Sequence, residues 1–239
     1  MRRLVPTAAV AALAASCAVL AGCGAPAAGT SLFPLEPGHR WTYAVTTEYE
    51  NAAFERETLV LSTEGRDPVD GAPAWRRRSA SGVDYWLRAD DSGIYRVASK
   101  SDLDAAPKPD PARRYVLKAP YTAGTNWTST TTAYLLKRRQ EFPREIRHTH
   151  PAVPMHYTIE ATGEAVRTPA GAFDGCLRVK GIAVLRLFAD PVAGWRDLPL
   201  VTLEWYCPGV GLVRLERHEP AGSAFLAGGS LTMELTSWH

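Results

Sequence analysis

The chain has 239 residues, with 27 Lys and Arg against 25 Asp and Glu, for a formal net charge of +2. Both surplus charges, Arg2 and Arg3, lie at the very start, so the remainder is electrically neutral and offers no field for nucleic acid. The 217 residues from Cys23 onward suit one large β domain or two small ones and are enough to bury a substantial core.

The first element is a leader. Arg2 and Arg3 precede an apolar run, Leu4–Leu20, which contains Pro6 and falls short of the roughly 20 residues that span a bilayer. It ends in Leu20-Ala21-Gly22-Cys23, which resembles the lipobox of bacterial lipoproteins. An ordinary secretory cleavage site is the alternative. Ala15-Ser16-Cys17 fits that role poorly, because Val19 and Leu20 lie beyond it. The lipobox resemblance implies removal of residues 1–22, lipidation of the Cys23 sulfur and acylation of its new amino group. Each methylene buried in the bilayer contributes about 0.8 kcal/mol, so several acyl chains anchor the chain to a membrane. Gly24, rather than aspartate, follows the cysteine. In a Gram-negative organism that favours the periplasmic face of the outer membrane. Residues 23–32 then read as a lipidated cysteine and small-residue tether leading into a β domain over 33–239.

Alternation of apolar and polar residues dominates that domain and predicts half-buried antiparallel strands, about a dozen of them. Trp41, Tyr43 and Val45 alternate with polar or small residues, as do Tyr157, Ile159 and Ala161, and Leu231, Met233 and Leu235. Asp70-Gly71, Asp90 to Gly93 and Pro208-Gly209 supply turns. No long amphipathic helix is evident. An internal repeat divides the domain. Pro34, Gly38 and Trp41 recur as Pro120, Gly124 and Trp127, 86 residues on. Further along, Trp86 and Gly93-Ile-Tyr-Arg96 match Trp205 and Gly211-Leu-Val-Arg214. Two related β meanders, about 33–100 and 120–218, are expected, with Asp102–Pro111 as connector. The fold class is therefore mainly β: a curved antiparallel sheet, open-barrel or sandwich-like.

Four cysteines are accounted for by export. Cys17 leaves with the leader and Cys23 carries lipid, leaving Cys176 and Cys207 in an oxidising compartment. A disulfide between them is the natural reading, and a free thiol the alternative. The strands 176–188 and 198–207 flank a turn at Asp190–Gly194. Pairing the two cysteines fixes a register in which partner numbers sum to 383, which sets Arg186 opposite Asp197. A bulge at Gly181 would shift that register by one.

Three blocks resemble a family of uncharacterised bacterial exported proteins and lipoproteins: Phe33-Pro-Leu-Glu-Pro-Gly38-His-Arg-Trp41-Thr-Tyr43, Pro169-Ala-Gly-Ala-Phe173-Asp-Gly-Cys176-Leu-Arg-Val179 and Tyr206-Cys-Pro-Gly-Val-Gly211-Leu-Val213. The family pattern more often has alanine where Cys207 stands. The resemblance implies a curved antiparallel sheet, similar in outline to the open-barrel lipoprotein carriers of the outer-membrane sorting system. It carries over no catalytic residue.

Chemistry-bearing clusters are few. His148, His150 and His156 are the only metal-like group, and Pro151 and Pro154 favour a solvated loop instead. No GxSxG nucleophile turn occurs, and no cofactor is implied. Arg76-Arg77-Arg78 and Lys137-Arg138-Arg139 are read as exposed strand-edge charges, with lipid headgroups or anionic polymers as the alternative. The tryptophans at 41, 86, 127 and 205 are expected in the core. The functional expectation is a lipid-anchored, non-enzymatic envelope protein that binds an unidentified ligand or plays a structural part. A carrier of a hydrophobic ligand is the first alternative and an envelope hydrolase the second.

Overall fold

The computed structural model describes residues 31–138, 152–190, 194–223 and 226–239. The leader, Cys23, Arg139, His148 and His150 lie outside them. Twelve strands form one antiparallel sheet. The first six are β1 (Arg40–Tyr49), β2 (Phe54–Arg66), β3 (Trp75–Ser79), β4 (Asp84–Asp90), β5 (Gly93–Lys100) and β6 (Lys108–Lys118). The second six are β7 (Asn126–Thr131), β9 (Val153–Thr168), β10 (Gly171–Asp190), β11 (Gly194–Cys207), β12 (Gly211–Glu219) and β14 (Gly229–Trp238). Two-residue strands β8 (Lys137–Arg138) and β13 (Leu226–Ala227) pair separately. Among the described residues no helix is long and apolar enough to cross a membrane.

The strand order is β6-β5-β4-β3-β2-β1-β14-β12-β11-β10-β9-β7. Each set of six is a simple meander, and the first strand of each adjoins the last strand of the other. β1 pairs with β14 along its whole length. β6 comes alongside β7, where the Ser129 hydroxyl donates to the Tyr115 carbonyl at 3.2 Å. The sheet thus curls into a barrel that is nearly closed, with its seam at β6 and β7.

Strand alternation sets the inside and the outside. Trp41, Tyr43 and Val45 on β1 and Met233 and Leu235 on β14 are buried and pair across the ladder, so they share the inner face. The start of the chain fills one end of the barrel with Phe33 and Leu35, packed on Leu177 and Tyr206. The other end is filled by Leu136, Ala221 and Leu226 against Met155, Leu185 and Leu200.

The meanders extend further than the sequence predicts, to 118 and 238. Asp102–Pro111 is not purely a connector, because β6 begins at Lys108. Pro109 and Pro111 are tolerated there because β6 is a terminal strand of the sheet, where a missing N–H breaks no ladder on the open side. Strands β9, β10 and β11 are long, at 16, 20 and 14 residues.

The two copies of the first repeat block make the same backbone hydrogen bonds in their entry turns. Gly38 and Gly124 take φ of 92° and 93°, a left-handed region that favours glycine. Gly38 N–H donates to Thr63 O and Thr63 N–H to His39 O; Gly124 N–H donates to Ile159 O and Ile159 N–H to Thr125 O. Trp41 and Trp127 then enter the core. The second match is correct for tryptophan but not for arginine. Trp86 pairs with Ala98, and a bulge then sets Leu87 against Arg96. Trp205 pairs with Arg214, and a bulge then sets Tyr206 against Leu212. Arg96 therefore points inward, whereas Arg214 lies on the outer face with Glu216 and Glu234.

The hairpin reading holds. Cys176 and Cys207 form a disulfide. From Leu177 opposite Tyr206 to Arg186 opposite Asp197, every β10–β11 pair keeps the 383 register, through Gly181 without a bulge.

Candidate functional site

The inner face of β11 reads Leu198, Leu200, Thr202, Glu204, Tyr206: apolar at one end and polar at the other. The inner faces of β3, β5 and β6 contribute Arg77, Arg96 and Arg114, the last two paired across the ladder. These polar positions surround a cavity of about 320 Å³ inside the barrel. Its wall is largely aromatic: Tyr43, Tyr85, Tyr115, Tyr134, Tyr157 and Tyr206, with Phe33 beneath.

Arg77 is the most deeply set of the three arginines, only 7% exposed. Its guanidinium is sandwiched between the rings of Phe33 and Trp41, 4.2 Å from each centroid. It donates from Nη2 to the Pro34 carbonyl at 2.6 Å, while its Nε is buried without a hydrogen bond. Burial pushes its pKa down to about 10. Arg96 is held differently, by a bidentate pair with Asp110 at 2.7 and 2.6 Å. Arg114 is half-buried, and burial followed by repulsion from Arg96 lowers its pKa.

Glu204 faces the cavity from β11, five strands around the barrel from β3. Tyr206 donates its hydroxyl to one carboxylate oxygen at 2.6 Å. Burial, the dominant cause, raises the Glu204 pKa above the ordinary carboxylate range. Burial likewise raises those of Tyr43 and Tyr157. The Tyr43 hydroxyl donates to Leu212 O at 2.9 Å, and Tyr157 stacks on Trp127 with ring centroids 5.5 Å apart.

A second polar group closes one end of the cavity. Arg217 and Glu219 are 3% and 0% exposed and hydrogen-bonded to each other. The Glu219 carboxylate accepts from the backbone N–H groups of Tyr134, Leu135 and Leu136 at 3.1, 2.7 and 3.0 Å. Arg217 donates to Thr132 O at 2.7 Å and lies over the Tyr134 ring. This network holds residues 132–136 across the barrel and sets Tyr134 at the cavity edge.

The sequence-predicted sites fare unevenly. His156 is exposed on β9, with its Nδ1 2.9 Å from Thr128 Oγ1. Among the described residues no three His, Cys, Asp or Glu side chains converge as a metal site. Trp41, Trp86 and Trp127 are buried and Trp205 partly so, its indole donating to Glu164. Arg76-Arg77-Arg78 is not a strand-edge run. β3 is an internal strand, and alternation turns Arg77 into the barrel while Arg76 and Arg78 face Asp67 and Asp84 outside. Sequence reasoning missed the cavity lining. Its signal was present as polar residues at inward phases of alternating strands: Arg77, Thr202 and Glu204.

The class that fold and site define is a nearly closed, twelve-stranded antiparallel barrel with an aromatic, arginine-bearing interior. No protein-family model matches the chain, and no curated protein does. Two solved structures are similar in fold. One, designated a lipoprotein, is from Parabacteroides distasonis: 15% identity over 88% of this chain and 99% of that one, TM-score 0.43. The other, designated an exported protein with a YmcC-like fold, is from Bacteroides fragilis: 17% identity over 88% and 99%, TM-score 0.38.

Proposed function

We propose that this chain is a non-enzymatic, lipid-anchored envelope protein that holds a small amphipathic ligand inside its barrel. The single observation that carries the ligand reading is the interior cavity of about 320 Å³, lined by six tyrosines and by side chains of mixed polarity. The lining also narrows the ligand. A carrier of a bare acyl chain needs an apolar groove, whereas this wall presents hydroxyls, guanidinium groups and a carboxylate among aromatic rings. An amphipathic molecule with a compact body suits it better. Support for lipid anchoring comes from the lipobox at Leu20–Cys23 and from a body that begins its fold directly after a short tether.

The test is binding of a neutral fluorescent probe, N-phenyl-1-naphthylamine, to the unlipidated Cys23→Ala chain, which keeps every described residue. Saturable fluorescence enhancement, lost when Tyr157→Trp fills the cavity, is the expected result. No saturable enhancement with this probe or with its anionic analogue 1-anilinonaphthalene-8-sulfonate, or enhancement indifferent to the cavity-filling change, would overturn the ligand reading.

A further inference from the structure

We propose that the cavity favours a small organic anion, with an acidic group seated on Arg77, Arg114 adding positive charge elsewhere on the wall, and a flat apolar body against the tyrosine rings. This deepens the ligand-binding reading above and rests on it.

The barrel contains a comparison within itself. Arg217 is as buried as Arg77, and it has Glu219. Arg96 lines the same cavity and has Asp110. Among the described residues Arg77 has no carboxylate within salt-bridge distance and none acts on it, whereas Arg114 feels the charge of the Asp110 that Arg96 holds. Arg77 commits one of its five N–H groups, to Pro34 O, and leaves Nε unbonded. A guanidinium taken this far out of water without an anion is costly, and folded proteins avoid it or pair it. The Phe33 and Trp41 rings offset part of that cost and fix the plane of the group. They cannot accept its hydrogen bonds. A carboxylate or sulfonate can, because its oxygens match the guanidinium fork.

Glu204 does not serve as the missing counter-ion. It projects from the far side of the barrel, and its oxygens are engaged by Tyr206 and Thr202. The positive wall therefore comes from the first meander and the carboxylate from the second, with the tyrosines between. An anion with a ring body fits that arrangement end to end, and Glu204 accepts a hydrogen bond from whatever polar group the ligand carries at its other end.

The test compares two probes of similar shape on the Cys23→Ala chain: anionic 1-anilinonaphthalene-8-sulfonate and neutral N-phenyl-1-naphthylamine. Arg77→Met should weaken the anionic probe about tenfold or more, as expected for loss of hydrogen bonds to a charged group, and Arg114→Gln by about two- to threefold through the lost charge. Affinity for the neutral probe should change by less than about twofold. Arg186→Gln, on the outer face, should leave both affinities unchanged. Where Arg77→Met abolishes the cooperative melt, Arg77→Lys decides: it keeps the charge and loses the fork, and should still weaken the anionic probe severalfold. Unchanged anionic binding in the folded variants, or an equal loss in Arg186→Gln, would overturn the anion inference while leaving the ligand reading in place. Failure of the wild-type cavity to take either probe would remove both.

Discussion

Gly181 lacks a side chain because its neighbours already occupy the space. A Cβ there would lie 2.6 Å from Thr202 Cγ2, 2.7 Å from Met155 Sδ and 2.8 Å from Tyr157 Cε1. The sequence offers this glycine as a bulge; the structure shows a close approach by the tyrosine of the neighbouring strand. Gly181→Ala should cost about 1–3 kcal/mol in urea unfolding by overpacking, and it should shift Tyr157 into the cavity. An unchanged midpoint would mean that the tyrosine moves freely. Glu204 makes a prediction with a definite sign. Its folded pKa is raised, so the folded state keeps the proton after the unfolded chain has released it, and stability falls as pH rises from the ordinary glutamate pKa through the folded one. Glu204→Gln removes that loss. Its melting temperature should exceed wild type at pH 7.5 and match it near pH 4. A variant equally shifted at both pH values would refute the titration account.

At the scale of elements, the barrel end is closed by backbone, not by a helix. Residues 132–136 run across the opening, and three of their N–H groups end on one carboxylate. A buried backbone donor must find an acceptor, and Glu219 supplies it while neutralising Arg217. Glu219→Gln should destabilise the protein by about 3–5 kcal/mol, the usual cost of breaking a buried ion pair from one side. Amide hydrogen exchange at Tyr134, Leu135 and Leu136 should speed up more than elsewhere, and uniform exchange would count against the strap. The β10–β11 hairpin is the complementary case. Its disulfide closes a separation of 31 residues, for which the loop-entropy relation gives about 3–4 kcal/mol. Cys176→Ser with Cys207→Ser should therefore lower the urea midpoint while the β10–β11 backbone amides stay protected from hydrogen exchange, and an unchanged midpoint would refute the loop-entropy account.

For the whole molecule, two meanders close one barrel because each is too narrow to enclose a core alone. A six-stranded curved sheet leaves one face bare, and placing β1 beside β14 and β6 beside β7 covers both faces at once. The described residues begin beside the β11–β12 turn, where Ser31 O accepts from Gly209 N–H. The first described residues therefore lie at the barrel end opposite the Arg217–Glu219 strap. Cys23→Ala should move the protein from the membrane to the soluble fraction and abolish palmitate incorporation; retention with label would end the lipoprotein reading.

Local information was enough for the strands, the entry turns and the disulfide register. Alternation and turn residues act over a few positions, and a hairpin's register follows from its two ends. The address rests on the lipobox alone, again a local pattern. What tertiary structure decided was which face of each strand becomes the inside. Arg96 and Arg214 sit in matching sequence blocks, yet a displaced bulge turns one into the cavity and the other to solvent. Arg77 reads as one of three surface arginines until β2 and β4 flank its strand and the barrel closes over it. The cavity is made of side chains from strands far apart in sequence, and only closure of the sheet brings their charges to one place.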